Sequence, residues 1–266
     1  MTDTDWVPAG IDRSRPSTAR VYDYFLGGTH HLEVDRELAR QIEMMTPDIG
    51  ETMRANRVFL RRAVRFLTGS GVRQFLDIGS GIPTAGNVHE IAQAEAPGSA
   101  VVYVDVDPVA VEHSRAILAG VAGTGVICAD ARDTDRILHE TARLGLIDLR
   151  RPVAVLLAGV LHFVPDADDP AGLVATLRAA VGPGSFLVVS HATADGQPPE
   201  VLDAQRLSAR TGTGIVLRSH AEIAAWFAGF PLVEPGLVHL PLWRPEPGET
   251  VRSPERYGAY AGVGAA

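Results

Sequence analysis

Hydrophobic and polar positions follow one rhythm in the first quarter of the chain and another in the rest. From residue 16 to 69 apolar residues recur at helical spacing. Pro16-Ser17 opens a predicted helix that runs through ARVYDYFL and stops at Gly27-Gly28. A second predicted helix, LEVDRELARQIEMM, ends before Pro47, and a third spans about 51–68 and ends at Gly69. From 73 onward, short valine-, leucine- and isoleucine-rich runs alternate with helical ones. The runs are RQFLDI, AVVYVD, GVICAD, PVAVLLAG and SFLVVSHA, and helices fit at about 85–95, 108–119, 133–143 and 169–181. Strands apolar on both faces that alternate with helices predict an α/β fold, a doubly wound parallel sheet with right-handed crossovers. After His191, PEVLDAQRLSAR reads as a helix, and Ser219-His220-Ala221-Glu222 is a capping box for another that ends near Gly229. PLVEPGLVHLPLW resembles two short strands around a Pro-Gly turn. The expected units are a loose arm at 1–15, a helical segment at 16–69, the sheet-containing body at 70–245 and a loosely docked proline- and glycine-rich tail at 246–266.

Composition removes several function classes. The 266 residues, 46% hydrophobic, suffice for one sizeable core. All 24 basic residues are arginine. Without lysine there is no Schiff-base or pyridoxal-phosphate anchor and no P-loop phosphate lysine. A lone cysteine, Cys128, excludes an internal disulfide and a cysteine-rich zinc site. The net charge of −8 argues against a nucleic-acid partner. Arg54, Arg57, Arg61 and Arg65 share one face of the third helix and read as a solvated stripe. The longest apolar run, 153–164, is shorter than the ~18 residues of a membrane span, so no membrane partner is expected. With no signal pattern at the N-terminus, the expected location is cytoplasmic.

The candidate chemistry lies at the strand ends. Open parallel sheets bind ligands there, beside the point where strand order reverses. Asp77, Asp105, Asp130 and the 158–162 stretch end four successive predicted strands. The loop LDIGSGIPTAG keeps glycines at 79 and 81 but has Thr84 in place of a third glycine. Pro83 removes a backbone N–H that a pyrophosphate would need. The loop suits a phosphate-free nucleoside better, and the expected cofactor is S-adenosylmethionine, whose ammonium and sulfonium favour acidic walls. Asp105 is suited to both ribose hydroxyls, Asp77 to the ammonium and Asp130 to the adenine amino group. Asp107 before Pro108 reads as a helix cap.

FLDIGSGIPT, VVYVDVDP, VICADARD and LLAGVLHFVPD together resemble the ordered motifs of class I S-adenosylmethionine-dependent methyltransferases. ARVYDYFLGG, ANRVFLRRAVRFL, GNVHEIAQ and SHATAD resemble, more narrowly, a bacterial S-adenosyl methyltransferase family whose substrate is largely unassigned. The resemblance covers roughly 16–245. It implies a Rossmann-like, mostly parallel seven-stranded sheet with helices on both faces and an N-terminal helical lid over the ligand edge. It also implies cofactor contacts at Asp77, Gly79, Ser80, Gly81, Asp105, Val106 and Asp130, with backbone contacts near Ala131 and Gly159. Where the family usually carries a lysine and an asparagine after FLGG, this chain has Thr29-His30-His31.

Methyl transfer is an in-line displacement that needs an aligned acceptor and exclusion of water. A base is required only if the acceptor must lose a proton. The candidates are His162, His31, His30 and His191, and Tyr22 and Tyr24 are candidates to line the pocket. Asp166, Asp168 and Asp169 follow His162 without calcium-loop spacing, and Asp168 or Asp169 caps the helix from Pro170, so no metal is expected. The expected partner is a small-molecule methyl acceptor. The alternatives are a binding module that keeps the cofactor without turnover and, less favoured, a nicotinamide oxidoreductase.

Overall fold

The computed structural model describes residues 13–83, 86–199 and 214–266. The expected arm before residue 13, Thr84 and the expected helix at 199–210 fall wholly or almost wholly outside these residues. Helices α1 (Thr18–Phe25), α2 (Glu33–Met45) and α3 (Ile49–Gly69) come first. Strand and helix then alternate: β1 (Gln74–Ile78), α4 (Val88–Glu95), β2 (Ala100–Asp105), α5 (Pro108–Ile117), β3 (Thr124–Cys128), α6 (Thr134–Leu144), β4 (Ala154–Ala158), α7 (Pro170–Ala180) and β5 (Phe186–Ala192). Helix α8 (His220–Ala225), β6 (Val238–His239) and β7 (Ala259–Ala265) complete the fold.

The strands form one seven-stranded sheet in the order β3-β2-β1-β4-β5-β7-β6. β1 to β5 run parallel, and β7 is antiparallel to both its neighbours. This is the doubly wound Rossmann-like architecture, with its switch point between β1 and β4. Period-2 alternation divides each strand between two cores. Leu76, Ile78, Val102 and Val104 face one side with Ile137, Leu173, Leu177 and Trp226. Phe75, Val101 and Tyr103 face the other with Phe59, Leu60, Val64 and Leu67 of α3. The same alternation aims Asp77 and Asp105 at the α3 side. Asp77 stands in register with Tyr103, and Asp105 ends β2 two residues beyond it.

Two expectations are corrected. Residues 246–266 are not a loose tail: β7 pairs along its whole length with β5. Its sequence, AYAGVGA, is small because neighbours come close. A Cβ on Gly264 would lie 2.5 Å from the Phe230 carbonyl oxygen. Nor do the two runs of PLVEPGLVHLPLW pair with each other; Leu232 bridges Gly264, and β6 pairs with Ala261 and Tyr260. Both runs lie along β7, on either side of the turn at Pro235-Gly236.

The N-terminal helices are fixed to the sheet edge at several points. Arg20 and Asp35 form a buried ion pair at 2.7 Å, and Asp35 also accepts from the backbone N–H of Ser17 and Leu32. The Ser17 hydroxyl donates to Asp107, the N-cap of α5. Ala19 packs with Ile82 and Ala110, joining α1 to the loop after β1 and to α5.

Candidate active site

The β1–α4 loop is built by close approach. Gly79 has φ +74°, and a Cβ there would lie 2.5 Å from the Val160 side chain in the loop after β4. Only glycine satisfies both demands. Gly81 also has positive φ, but a Cβ there would meet none of the described residues within 4 Å. Asp105 braces the loop. One carboxylate oxygen accepts from Gly81 N–H at 2.7 Å and the other from Asp107 N–H at 2.8 Å. Each oxygen keeps a further lone pair for another donor. Ser80 donates its backbone N–H to the Val104 carbonyl, and Val106, just past Asp105, is 60% exposed.

Burial dominates the charge balance. Asp77 is 4% exposed, and burial pushes its carboxyl up to about 7 against the pull of Arg57; Asp105 nearby raises it further. Among the described residues no side chain or backbone N–H donates to this carboxylate. Burial also raises Asp105, and the Asp107 and Gly81 N–H groups oppose the rise. Asp130 differs. It is held by Arg132, whose Nε lies 2.9 Å away, and Arg132 also reaches Asp168 at 2.8 Å. That guanidinium keeps the Asp130 carboxyl below its usual range. Ala131 packs against the core beside it.

α3 closes the other side of the switch point. Asn56 accepts from the Ser190 hydroxyl at 2.6 Å and donates to the Tyr22 hydroxyl at 3.1 Å, which in turn donates to the Met53 carbonyl. A Cβ on Gly159 would lie 3.2 Å from Asn56 Nδ2 and 3.8 Å from His162 Cε1. Among the described residues, the buried His162 Nδ1 has no hydrogen-bond partner. Burial, then His191 and Arg218, lower that imidazole to about 3, so it is neutral.

The other candidate histidines are committed elsewhere. His191 Nδ1 lies 2.7 Å from the Ala192 carbonyl and Nε2 3.0 Å from Arg218. With the proton on Nδ1 the first is a donor and the second an acceptor, and burial lowers the ring to about 4. His31 meets the Gly28 carbonyl through Nε2 at 3.1 Å and Arg36 through Nδ1 at 3.2 Å. Both nitrogens are used inside the helical segment. His30 packs on His113 of α5, ring centroids 4.1 Å apart. Tyr24 touches His31 and Phe25 edge-on, beside the small core of α1 and α2. Asp107 and Asp169 are helix caps. Asp166 pairs with Arg218.

Sequence reasoning missed Asn56, Ser190, Arg218 and the inward turn of Arg57. Arg57 belongs to a stripe of which Arg54, Arg61 and Arg65 are exposed. No helical period singles out the member that faces a ligand edge.

A family model described as S-adenosyl methyltransferase matches residues 4–266. The chain belongs to this family. It is an S-adenosylmethionine-dependent methyltransferase. It is similar to a candidate methyltransferase of Thermobifida fusca, at 41% identity over 98% of both chains, with a TM-score of 0.90. It is also similar to a DUF574 family protein of Streptomyces avermitilis, at 39% identity over 96% of this chain and 98% of that one, with a TM-score of 0.89. The N-methyltransferase NodS of Bradyrhizobium japonicum shares the fold at 15% identity, with 82% of this chain and 98% of that one covered and a TM-score of 0.50. Among curated proteins none matches the sequence.

Proposed function

We propose that the methyltransferase binds S-adenosylmethionine along the C-terminal edge of β1 to β4 and passes the methyl group to a small molecule held beneath α1 and α3. The observation that carries this reading is the pair of buried carboxylates, Asp77 and Asp105, around a loop with positive-φ glycines at 79 and 81. The residues fit the cofactor. The donor set is acidic and lysine-free, which suits a cation without phosphates. Asp105 keeps acceptor capacity for ribose hydroxyls. Gly79, Ser80, Gly81 and the Gly159 backbone line the approach, Asp77 takes the ammonium, and Val106, Asp130 and Ala131 border the adenine. When bound, the cofactor supplies a methyl carbon activated by its sulfonium.

The chain's own residues orient and exclude water. Tyr22 is fixed by Asn56 and Met53, and Tyr24, His30 and His31 complete the helical lid at 16–69 that covers the edge. His162 Nδ1 is the unengaged polar atom on the β4 side. An imidazole so hard to protonate works by hydrogen bonding to the acceptor, since a general base needs a pKa near the working pH. Acceptors that attack through an existing lone pair, such as an amine, suit it best. We also place the protein in the cytoplasm. The single cysteine supports this, and among the described residues no helix is long and apolar enough to cross a membrane.

Titration calorimetry with S-adenosylmethionine, followed by a product assay across amines and hydroxyl compounds, tests the reading. Binding with S-adenosylhomocysteine formed from one acceptor class supports it. Absence of binding at millimolar ligand overturns it.

A further inference from the structure

We propose that Arg57 recognises the α-carboxylate of the cofactor's amino-acid end while Asp77 takes the ammonium, so that this enzyme selects the zwitterion as well as the adenosine. The inference rests on the reading of the β1–β2 edge as the S-adenosylmethionine site, and gives a role to Arg57 of the stretch ANRVFLRRAVRFL, which spacing alone reads as part of a solvated stripe.

The first observation is a contrast among inward-turned arginines. Arg20, Arg62 and Arg218 are buried, and each meets a carboxylate directly: Asp35 at 2.7 Å, Glu249 at 2.5 Å and Asp166 at 2.6 Å. Arg57 is half-buried, and among the described residues its buried Nε has no hydrogen-bond partner and no carboxylate lies within ion-pair distance of it. Its guanidinium rests over the Tyr22 ring, 5.6 Å from the centroid, and its interaction with Tyr22 holds the side chain in place. Within the stripe the other three behave differently. Arg65 faces Glu95 and Glu246 at the surface, Arg54 donates to the Phe25 carbonyl, and Arg61 is exposed.

The second observation is the group that Arg57 faces. Asp77 is buried, has no donor among the described residues, and interacts electrostatically with Arg57 without touching it. A buried anion without a donor, beside a cation that meets no carboxylate, is costly in a protein interior. An α-amino acid resolves both at once. Its ammonium and carboxylate hang on one carbon, so the ammonium meets Asp77 and the carboxylate meets the guanidinium, whose planar fork matches a carboxylate in bidentate fashion. The backbone also suits this placement. Asn56, the residue before Arg57, already reaches Ser190 and the Gly159 turn, so this turn of α3 is inserted over the switch point.

The experiment compares S-adenosylmethionine with its decarboxylated form, which differs only by the carboxylate. Wild type, Arg57→Gln, Arg57→Ala and Arg57→Lys are titrated by calorimetry, with melting curves to confirm folding. The wild type should prefer the carboxylated ligand by about 30-fold, the scale of a charge-assisted pair. Arg57→Gln and Arg57→Ala should lose that preference, binding the decarboxylated ligand within about threefold of wild type, and Arg57→Lys should retain part of it. Equal loss for both ligands, or an unchanged preference, would overturn the proposal. So would a wild type indifferent to the carboxylate, whether or not the variants fold. A wild type that binds neither ligand would instead remove the underlying cofactor reading, and the proposal with it.

Discussion

The ends of β5 and β1 both carry buried charge, yet they are finished differently. At β5, Arg218 donates to the Leu161 and Val164 carbonyls, to His191 Nε2 and to Asp166, and stacks on Trp226. His191 spends its other nitrogen on Ala192. At β1, Asp77 and Arg57 face each other without contact. Buried polar groups in a folded protein are nearly always satisfied. A saturated cluster is therefore structural, and the one left half-satisfied among the described residues is where we propose that the cofactor's amino-acid end binds.

The largest effect should come from the finished cluster. Arg218→Ala strands two backbone carbonyls and a histidine, and should lower stability by about 3 kcal/mol in chemical denaturation. If the loss is under about 1 kcal/mol, the β5 end is not a structural network. At the unfinished end the effect should fall on ligand. Asp105→Ala should weaken S-adenosylmethionine binding by about 2 kcal/mol, read by calorimetry, because in the proposed site the carboxylate that braces Gly81 N–H also accepts from the ribose.

The pH dependence sharpens the contrast. The Asp77 carboxyl, ordinarily at 3.8, stands at about 7 in the folded, ligand-free protein. Between those values the folded state holds a proton that the unfolded chain has released. Stability of the ligand-free protein should therefore fall as pH rises through that window, by at most about 1.4 kcal/mol per pH unit. Asp77→Asn should flatten the slope, and thermal melts across the window decide. An ammonium ligand favours the ionised form, so cofactor affinity should rise with pH towards 7. The smallest effect belongs to Gly81→Ala, which strains a positive φ without a clash and should cost about 1 kcal/mol in thermal melts. Gly79→Ala, which also meets Val160, should cost more.

Much of this was legible in the chain. The alternation of RQFLDI, AVVYVD, GVICAD and PVAVLLAG with helical runs is a strong signal, because strands buried on both faces must be apolar throughout. The strand-end aspartates follow from the same pattern, since a charge tolerated at the end of such a run stands at an edge. β7 was not legible. Gly262 and Gly264 are there because Phe227 and Phe230 press against them, and a strand made small by its neighbours carries little apolar signal of its own. The surroundings of His31 were hidden for a related reason. Its ring is captured by Arg36 and Gly28, contacts set by the turn between α1 and α2 and invisible in spacing. Arg57 looked like its exposed companions because helical period does not tell which turn of a helix lies over a switch point.

The most direct test of the central claim is a crystal structure of the protein with S-adenosylmethionine. The account predicts ribose hydroxyls on Asp105, the ammonium at Asp77 and the carboxylate against Arg57, with the Arg218 cluster unchanged. A cofactor bound elsewhere, or bound at this edge with Asp77 and Arg57 both facing away from it, would contradict the account.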